Sequence, residues 1–258
     1  MSSDSFLEVG LGKIAKKYKD LPIASLDVIV AAKRLGLAVI FDTENSGMVY
    51  PKGKTIYLEY EEEKPKHAKL SWMRSDKKRE KTCKNQDFME AFFVDFEFLM
   101  VKLCSSGLMH FSARFVEGNL KFLEKFSQVF ETNRKIKTPA VRFDVTSEDE
   151  ISGILRFLDS DSLKFIEVCS LGDSNEKIRI DAVARLEQWK KAESLDMQDI
   201  SVMAGVRQFE SFREAQISYV DFPMESVDEL KENPEQLGTD NKDQLFCDFD
   251  GVYKDSKG

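Results

Sequence analysis

The sequence predicts an α/β fold, a leucine-rich-repeat-like parallel sheet with helices on one face, preceded by a smaller α+β N-terminal segment. Three observations predict it. Strand candidates begin near residues 109, 141, 163, 193 and 214, at steps of roughly 20 to 30 residues. Single helical patterns separate them, and strand–helix–strand succession implies parallel pairing through right-handed crossovers. Within the strands, apolar residues alternate with polar ones, among them Arg142, Asp144, Glu167, Asp196 and Gln216. A doubly wound sheet, the rival architecture, has helices on both faces and needs strands that are continuous apolar runs. Alternation leaves one face wet and favours the one-sided arrangement.

The elements follow in order. Leu26, Ile29 and Val30 after Ser25 read as a weak helix with an N-cap. Residues 37–42 are an apolar strand, closed by a turn at Glu44-Asn45-Ser46-Gly47. Ile56, Leu58 and Tyr60 alternate on a second strand, with Leu70 and Trp72 on its hairpin partner across a loop from Glu61 to Lys66. Lys77 to Lys81 is a basic run, read as a solvated linker, although it also satisfies a minimal nuclear-import pattern. Phe88, Phe92, Phe96, Leu99 and Leu103 then recur at helical spacing, and Met109 to Phe115 alternate as a strand. Phe122, Phe126, Val129 and Phe130 mark a second helix, and Val141, Phe143 and Val145 the next strand.

Ser147 and Glu150 stand at capping-box spacing before Ile151, Ile154, Leu155 and Leu158. Leu163, Ile166 and Val168 suggest a strand. A helix with Ala182, Val183, Leu186 and Trp189 on one face follows. Leu195 and Met197 give a short strand, Val202, Val206 and Phe209 a helix, and Ala215 and Ile217 a strand. A helix led by Pro223, bearing Val227 and Leu230, precedes a polar tail.

Composition narrows the function classes. A chain of 258 residues with 42% apolar and 33% charged residues is an ordinary globular one that can bury a full core. The 20 phenylalanines point to an aromatic core. A net charge of −8 is a poor match to a phosphate backbone, so nucleic acid is not the expected partner. Cys83, Cys104, Cys169 and Cys247 form no close pair, which predicts thiols in a reducing, cytoplasmic or nuclear compartment. No signal-peptide pattern and no membrane-spanning apolar run is present.

Chemistry-bearing motifs are scarce. There is no Walker loop, no GxGxxG and no HExxH, and the two histidines, His67 and His110, stand far apart. Cys104 with His110 is a nucleophile–base pair only if the fold joins them. Glu148-Asp149-Glu150 fit the first turn of a helix. No catalytic activity, cofactor or metal is expected. Trp189 reads as core, by its spacing from Leu186 and Val183. The exposed face of the sheet is the candidate for binding a protein partner: Arg142, Asp144, Glu167, Asp196 and Gln216, with Phe165 outward if Ile166 and Val168 point inward. A register shifted by one residue buries Phe165 instead.

The stretch from Ala184 through Leu186-Glu187-Gln188-Trp189-Lys190 to Leu195-Asp196-Met197 resembles the FTH domain of the nematode F-box A family. Ser147 to Ile151, Ser162 to Ile166, Phe209 to Phe212 and Gln216 to Val220 are similar to further parts of it, and Phe246-Cys247 to a final short strand. The resemblance spans roughly residues 87–250. It implies a protein-interaction module, one often placed behind an F-box that docks onto the Skp-type adaptor of a cullin ubiquitin ligase. Asp20-Leu21-Pro22 and Leu26 to Leu35 match an F-box opening, but Val39-Ile40-Phe41-Asp42 stands where the basic second segment belongs. The expected organisation is residues 1–86 with a degenerate or absent F-box, residues 87–238 as the FTH-like repeat domain, and residues 239–258 as a polar tail. Alternatives are a ligase substrate-recognition subunit docking through residues 20–36, or an RNA-associated regulator using Lys77 to Lys84.

Overall fold

The structure, a computed structural model, describes residues 22–42, 53–74, 77–130, 135–171, 177–221 and 245–246. The strands are β1 (Ile23–Ala31), β2 (Arg34–Asp42), β3 (Gly53–Lys64), β4 (His67–Arg74), β5 (Lys77–Lys84), β6 (His110–Phe115), β7 (Ala140–Val145), β8 (Phe165–Ser170), β9 (Lys177–Arg179), β10 (Ser194–Met203), β11 (Glu214–Asp221) and β12 (Leu245–Phe246). The helices are α1 (Phe88–Ser106), α2 (Leu120–Val129), α3 (Glu148–Leu155) and the single turn α4 (Glu187–Lys191). All strands join one sheet in the order β12-β11-β10-β8-β7-β6-β1-β2-β3-β4-β5, with β9 paired to the far end of β10. Pairing is parallel from β12 to β1, and antiparallel through the meander β1 to β5. The sheet is thus mixed and mostly parallel, as the succession of strands and single helices predicted.

One side of this sheet takes the core. Register aligns Leu26, Val28 and Val30 of β1 with Phe111, Ala113 and Phe115 of β6, and these with Val141 and Phe143, then Ile166 and Val168. Every one of them is buried. The helices lie on this side. Phe115 meets the ring of Phe122 on α2 at 5.9 Å, and Phe122 meets Phe92 on α1 at 5.8 Å. Phe93, Phe96, Phe126, Phe130 and Phe157 extend the cluster, with centroids 4.9–6.4 Å apart in edge or offset contacts. The phenylalanine excess is therefore the layer between sheet and helices.

Helix ends are set locally. The Asp87 carboxylate accepts from the N–H groups of Met89 and Glu90, capping α1. Gly107 ends α1 at φ 74°, a conformation that favours glycine, and donates its N–H to the Leu103 carbonyl. Glu150 takes its expected capping role, accepting from the N–H groups of Thr146 and Ser147 at 2.7 and 3.2 Å. The Gln188-Trp189 pair of the resemblance ties successive units together. Gln188 donates to the carbonyls of Arg156 and Leu158, while Trp189 donates to the Gln208 carbonyl at 2.8 Å and sits edge-on to Phe212.

Several local expectations are corrected. Residues 23–31 are a strand, not a weak helix. Leu26, Val28 and Val30 alternate as well as recur, and two neighbouring strands satisfy the backbone on both sides. The described part of the N-terminal segment before α1 is strand and turn. The loop from Glu61 to Lys66 narrows to a turn at Pro65 and Lys66, the latter at φ 62°. Lys77 to Lys84 is an edge strand rather than a linker, its charges suiting a sheet edge that must not pair indiscriminately. Residues 182–189 do not form one helix: a 3-10 turn at Val183–Arg185 and α4 are broken by Leu186 in extended conformation. Val202 belongs to β10, and only a 3-10 turn at Val206–Phe209 follows. The strand β9 was missed, although Ile178 and Ile180 alternate with charged neighbours there. The turn at 44–47 and the helix led by Pro223 lie outside the described residues, as does Cys247.

Candidate functional site

The side of the sheet away from the helices carries the candidate site, and register decides its layout. One rung aligns Asp27, Ser112, Arg142, Glu167, Asp196 and Gln216 across six adjacent strands. The rung before it aligns Ser25, His110, Ala140, Phe165, Ser194 and Glu214, and the rung after it aligns Ile29, Arg114, Asp144 and Cys169. All six sequence-predicted residues thus share one face of the sheet. Phe165 is half-buried and Ile166 fully buried, which settles the register in favour of an outward Phe165.

A charge network stiffens the middle. Asp144, only 2% exposed, accepts from Arg114 Nε at 2.7 Å and Arg142 Nε at 3.0 Å, and Arg142 Nη1 reaches Glu167 Oε1 at 2.7 Å. A buried carboxylate needs such partners, because its desolvation is otherwise unreturned. Arg142 is consequently a structural member of the face, and reversing its charge would place like charges beside Asp144. To its right, Phe165, Ser194, Asp196, Glu214 and Gln216 line a depression of about 320 Å³. The small side chain of Ser194 leaves room between Phe165 and Glu214.

Burial raises Asp27 above the usual carboxylate range, opposed mainly by His110. It also lowers His110, against the pull of Asp27 and Glu167. Burial, with the carboxylates of Glu167, Asp144 and Asp196 adding to it against Arg142, pushes the Cys169 thiol up to about 11. Cys169 is therefore a protonated thiol, donating weakly to Glu167 at 3.8 Å. The Cys104–His110 pair does not form, since α1 covers the helix side of the sheet and His110 lies on the other. Among the described residues no group of three metal-ligating side chains is close enough to hold an ion.

Sequence reasoning missed Ser25, Asp27, Ser112 and Arg114 as members of this face. The signal was present: Arg114 stands between Ala113 and Phe115 as Arg142 stands between Val141 and Phe143. Asp27 was hidden by reading its segment as helical.

Fold and face together define an α/β protein in which, among the described residues, the helices lie on one side of the sheet and charged residues with Phe165 on the other. The model of a known family, the FTH domain, matches residues 120–254, more than half of the chain, and the protein belongs to that family. No curated protein matches it. Among solved structures, a probable ornithine cyclodeaminase from Bordetella pertussis Tohama I is 8% identical over 66% of this chain and 64% of that one, with a TM-score of 0.17. The chain spans less than two thirds of that protein's length, and a similarity so slight bears on neither fold nor activity.

Proposed function

We propose that this chain is a non-catalytic protein-interaction module that presents its open sheet face to a protein partner. The observation that carries this reading is the juxtaposition of Arg142, Asp144, Phe165, Glu167, Asp196 and Gln216 on one face of the sheet, the face that carries no helix among the described residues. Such a face offers a partner a half-exposed aromatic anchor within a pre-organised polar surround, the composition of an interface hot spot. Membership of the FTH-domain family supports the same reading. A cytoplasmic or nuclear setting fits Cys83, Cys104 and Cys169, none of which is in a disulfide. No helix among the described residues is long and apolar enough to cross a membrane.

Docking onto a Skp-type adaptor is the weaker alternative. It requires helices from residues 20–36, whereas Ile23–Ala31 and Arg34–Asp42 are paired strands with Leu26 and Leu35 fully buried. The test is quantitative capture by the full chain, with cross-links mapped by mass spectrometry. Phe165→Ala combined with Asp196→Lys should weaken capture at least about tenfold, with cross-links clustered on β6 to β11 in the parent and little change in Tm. Capture that ignores this pair of substitutions, or adaptor binding that maps to residues 20–36, would refute the proposal.

A further inference from the structure

Among the described residues the sheet ends on β5. A terminal strand presents a row of backbone N–H and C=O groups with no neighbouring strand, and folded proteins blunt such an edge by shortness, proline, a bulge or a cover. β5 uses none of these. It runs eight residues without proline and pairs with β4 from His67↔Lys84 to Arg74↔Lys77 with no shift of register. Lys78, Arg79, Glu80, Lys81, Thr82 and Lys84 are all exposed. Gln86 fixes the end of the strand by donating its N–H to the Lys66 carbonyl at 3.0 Å. Charge is the device that remains. Four cations, Lys78, Arg79, Lys81 and Lys84, stand against the one carboxylate of Glu80, a net +3 in a chain whose net charge is −8. Glu80 is already engaged by Lys78 at 2.8 Å and Lys69 at 3.3 Å, whereas Arg79, Lys81 and Lys84 are in no ion pair among the described residues. Arg79 and Lys81 stand opposite Trp72 and the buried Leu70, on the helix side of the sheet, and Lys78 and Lys84 stand opposite Met73 and His67, on the other. Cations thus flank this edge on both sides.

We propose that β5 is a docking edge for an extended acidic segment of a partner protein, which joins the sheet as a further strand. Backbone pairing along β5 supplies the affinity, and carboxylates on both sides of the added strand meet the flanking cations. The same charge disfavours a second copy, because two strands of net +3 would lie side by side. It does not favour RNA. RNA offers no strand of amides to pair with β5, and its phosphates would meet Glu59, Glu61 and Glu80, which share the open side of the sheet with Lys78. β5 lies at the other end of the sheet from β8, β10 and β11, so this inference and the proposed function stand or fall separately.

Fluorescence anisotropy of the full chain with a labelled peptide that alternates glutamate with threonine, matched in length to β5, tests it. The acidic peptide should bind at least about tenfold more tightly than its lysine counterpart. N-methylation at every second residue of the peptide, in one of the two phases, should weaken binding at least about tenfold, because it removes the N–H groups that face β5. Arg79→Glu combined with Lys81→Glu should weaken it as much, with β1 to β4 still protected from hydrogen–deuterium exchange, which shows the variant folded. In the parent chain the peptide should slow exchange of the β5 amides at least about tenfold and leave β6, β7 and β8 unchanged. No binding of the acidic peptide, binding indifferent to N-methylation in both phases or to the double substitution, or unaltered exchange in β5 would overturn the inference. So would a single-stranded RNA oligonucleotide that binds more tightly than the peptide, or a dimer in sedimentation that the double substitution dissolves.

Discussion

Replacing Asp95 with Asn exposes how the seam between α1 and β3 responds to pH. Asp95 is 0% exposed; its Oδ2 accepts from the Tyr60 hydroxyl at 2.5 Å, and its Oδ1 meets no hydrogen-bond partner. Burial lifts its pKa from 3.8 to about 6, with the Tyr60 hydrogen bond pulling the other way. The folded chain therefore holds this proton more tightly than the unfolded chain. Between the two values the folded state binds more protons, so stability falls as pH rises. The contribution is fully present below the unfolded pKa and is lost as pH rises through the folded one. At about 1.36 kcal/mol per unit the whole loss is about 3 kcal/mol, of which about 2 kcal/mol falls between about pH 4.5 and 7.5. Asp95→Asn removes the titration and leaves an amide N–H₂ where Oδ1 stood, a cost of about 1–3 kcal/mol that does not vary with pH. Urea denaturation of both proteins across that range should give a difference curve that moves about 2 kcal/mol in favour of the variant as pH rises. A curve flat to within about 0.5 kcal/mol, or one of opposite slope, would show that the carboxylate ionises freely in the folded state.

Three further outcomes are expected. Trp189→Ala should cost about 3–5 kcal/mol in denaturant melts, since the indole is 1% exposed, packs on Phe212 and donates to the Gln208 carbonyl; a loss under about 1 kcal/mol would place it at the surface. Asp144→Asn should cost about 1–3 kcal/mol by the same measurement, because the two arginines it holds are partly solvated and only the carboxylate is deeply buried; a neutral result would mean the network contributes nothing to stability. The Cys169 thiol, raised from 9.0 to about 11, should alkylate about 100-fold more slowly at pH 8 in the folded chain than in urea, and equal rates would contradict the burial assigned to it.

The sequence by itself determined the repeating strand–helix order from α1 onward, the Glu150 cap, the burial of Trp189 and the polar side of β7 and β8. These are consequences of short-range periodicity. Val141, Phe143 and Val145 can all face a core only if Arg142 and Asp144 face away, whichever strands lie beside them. Only the tertiary structure decided that Ile23–Ala31 is a strand, because its apolar residues satisfy helical and extended spacings alike and pairing with β2 and β6 breaks the tie. The same holds for Lys77–Lys84, where nothing local distinguishes a charged linker from a charged edge. It holds also for the site. Residues as distant in sequence as Asp27, Arg142 and Gln216 fall on one rung through parallel register, a long-range property that no local spacing encodes. Asp144 could be placed on the open face from alternation alone, but its burial beneath Arg114 and Arg142 depends on strands brought side by side, where the desolvated carboxylate requires both.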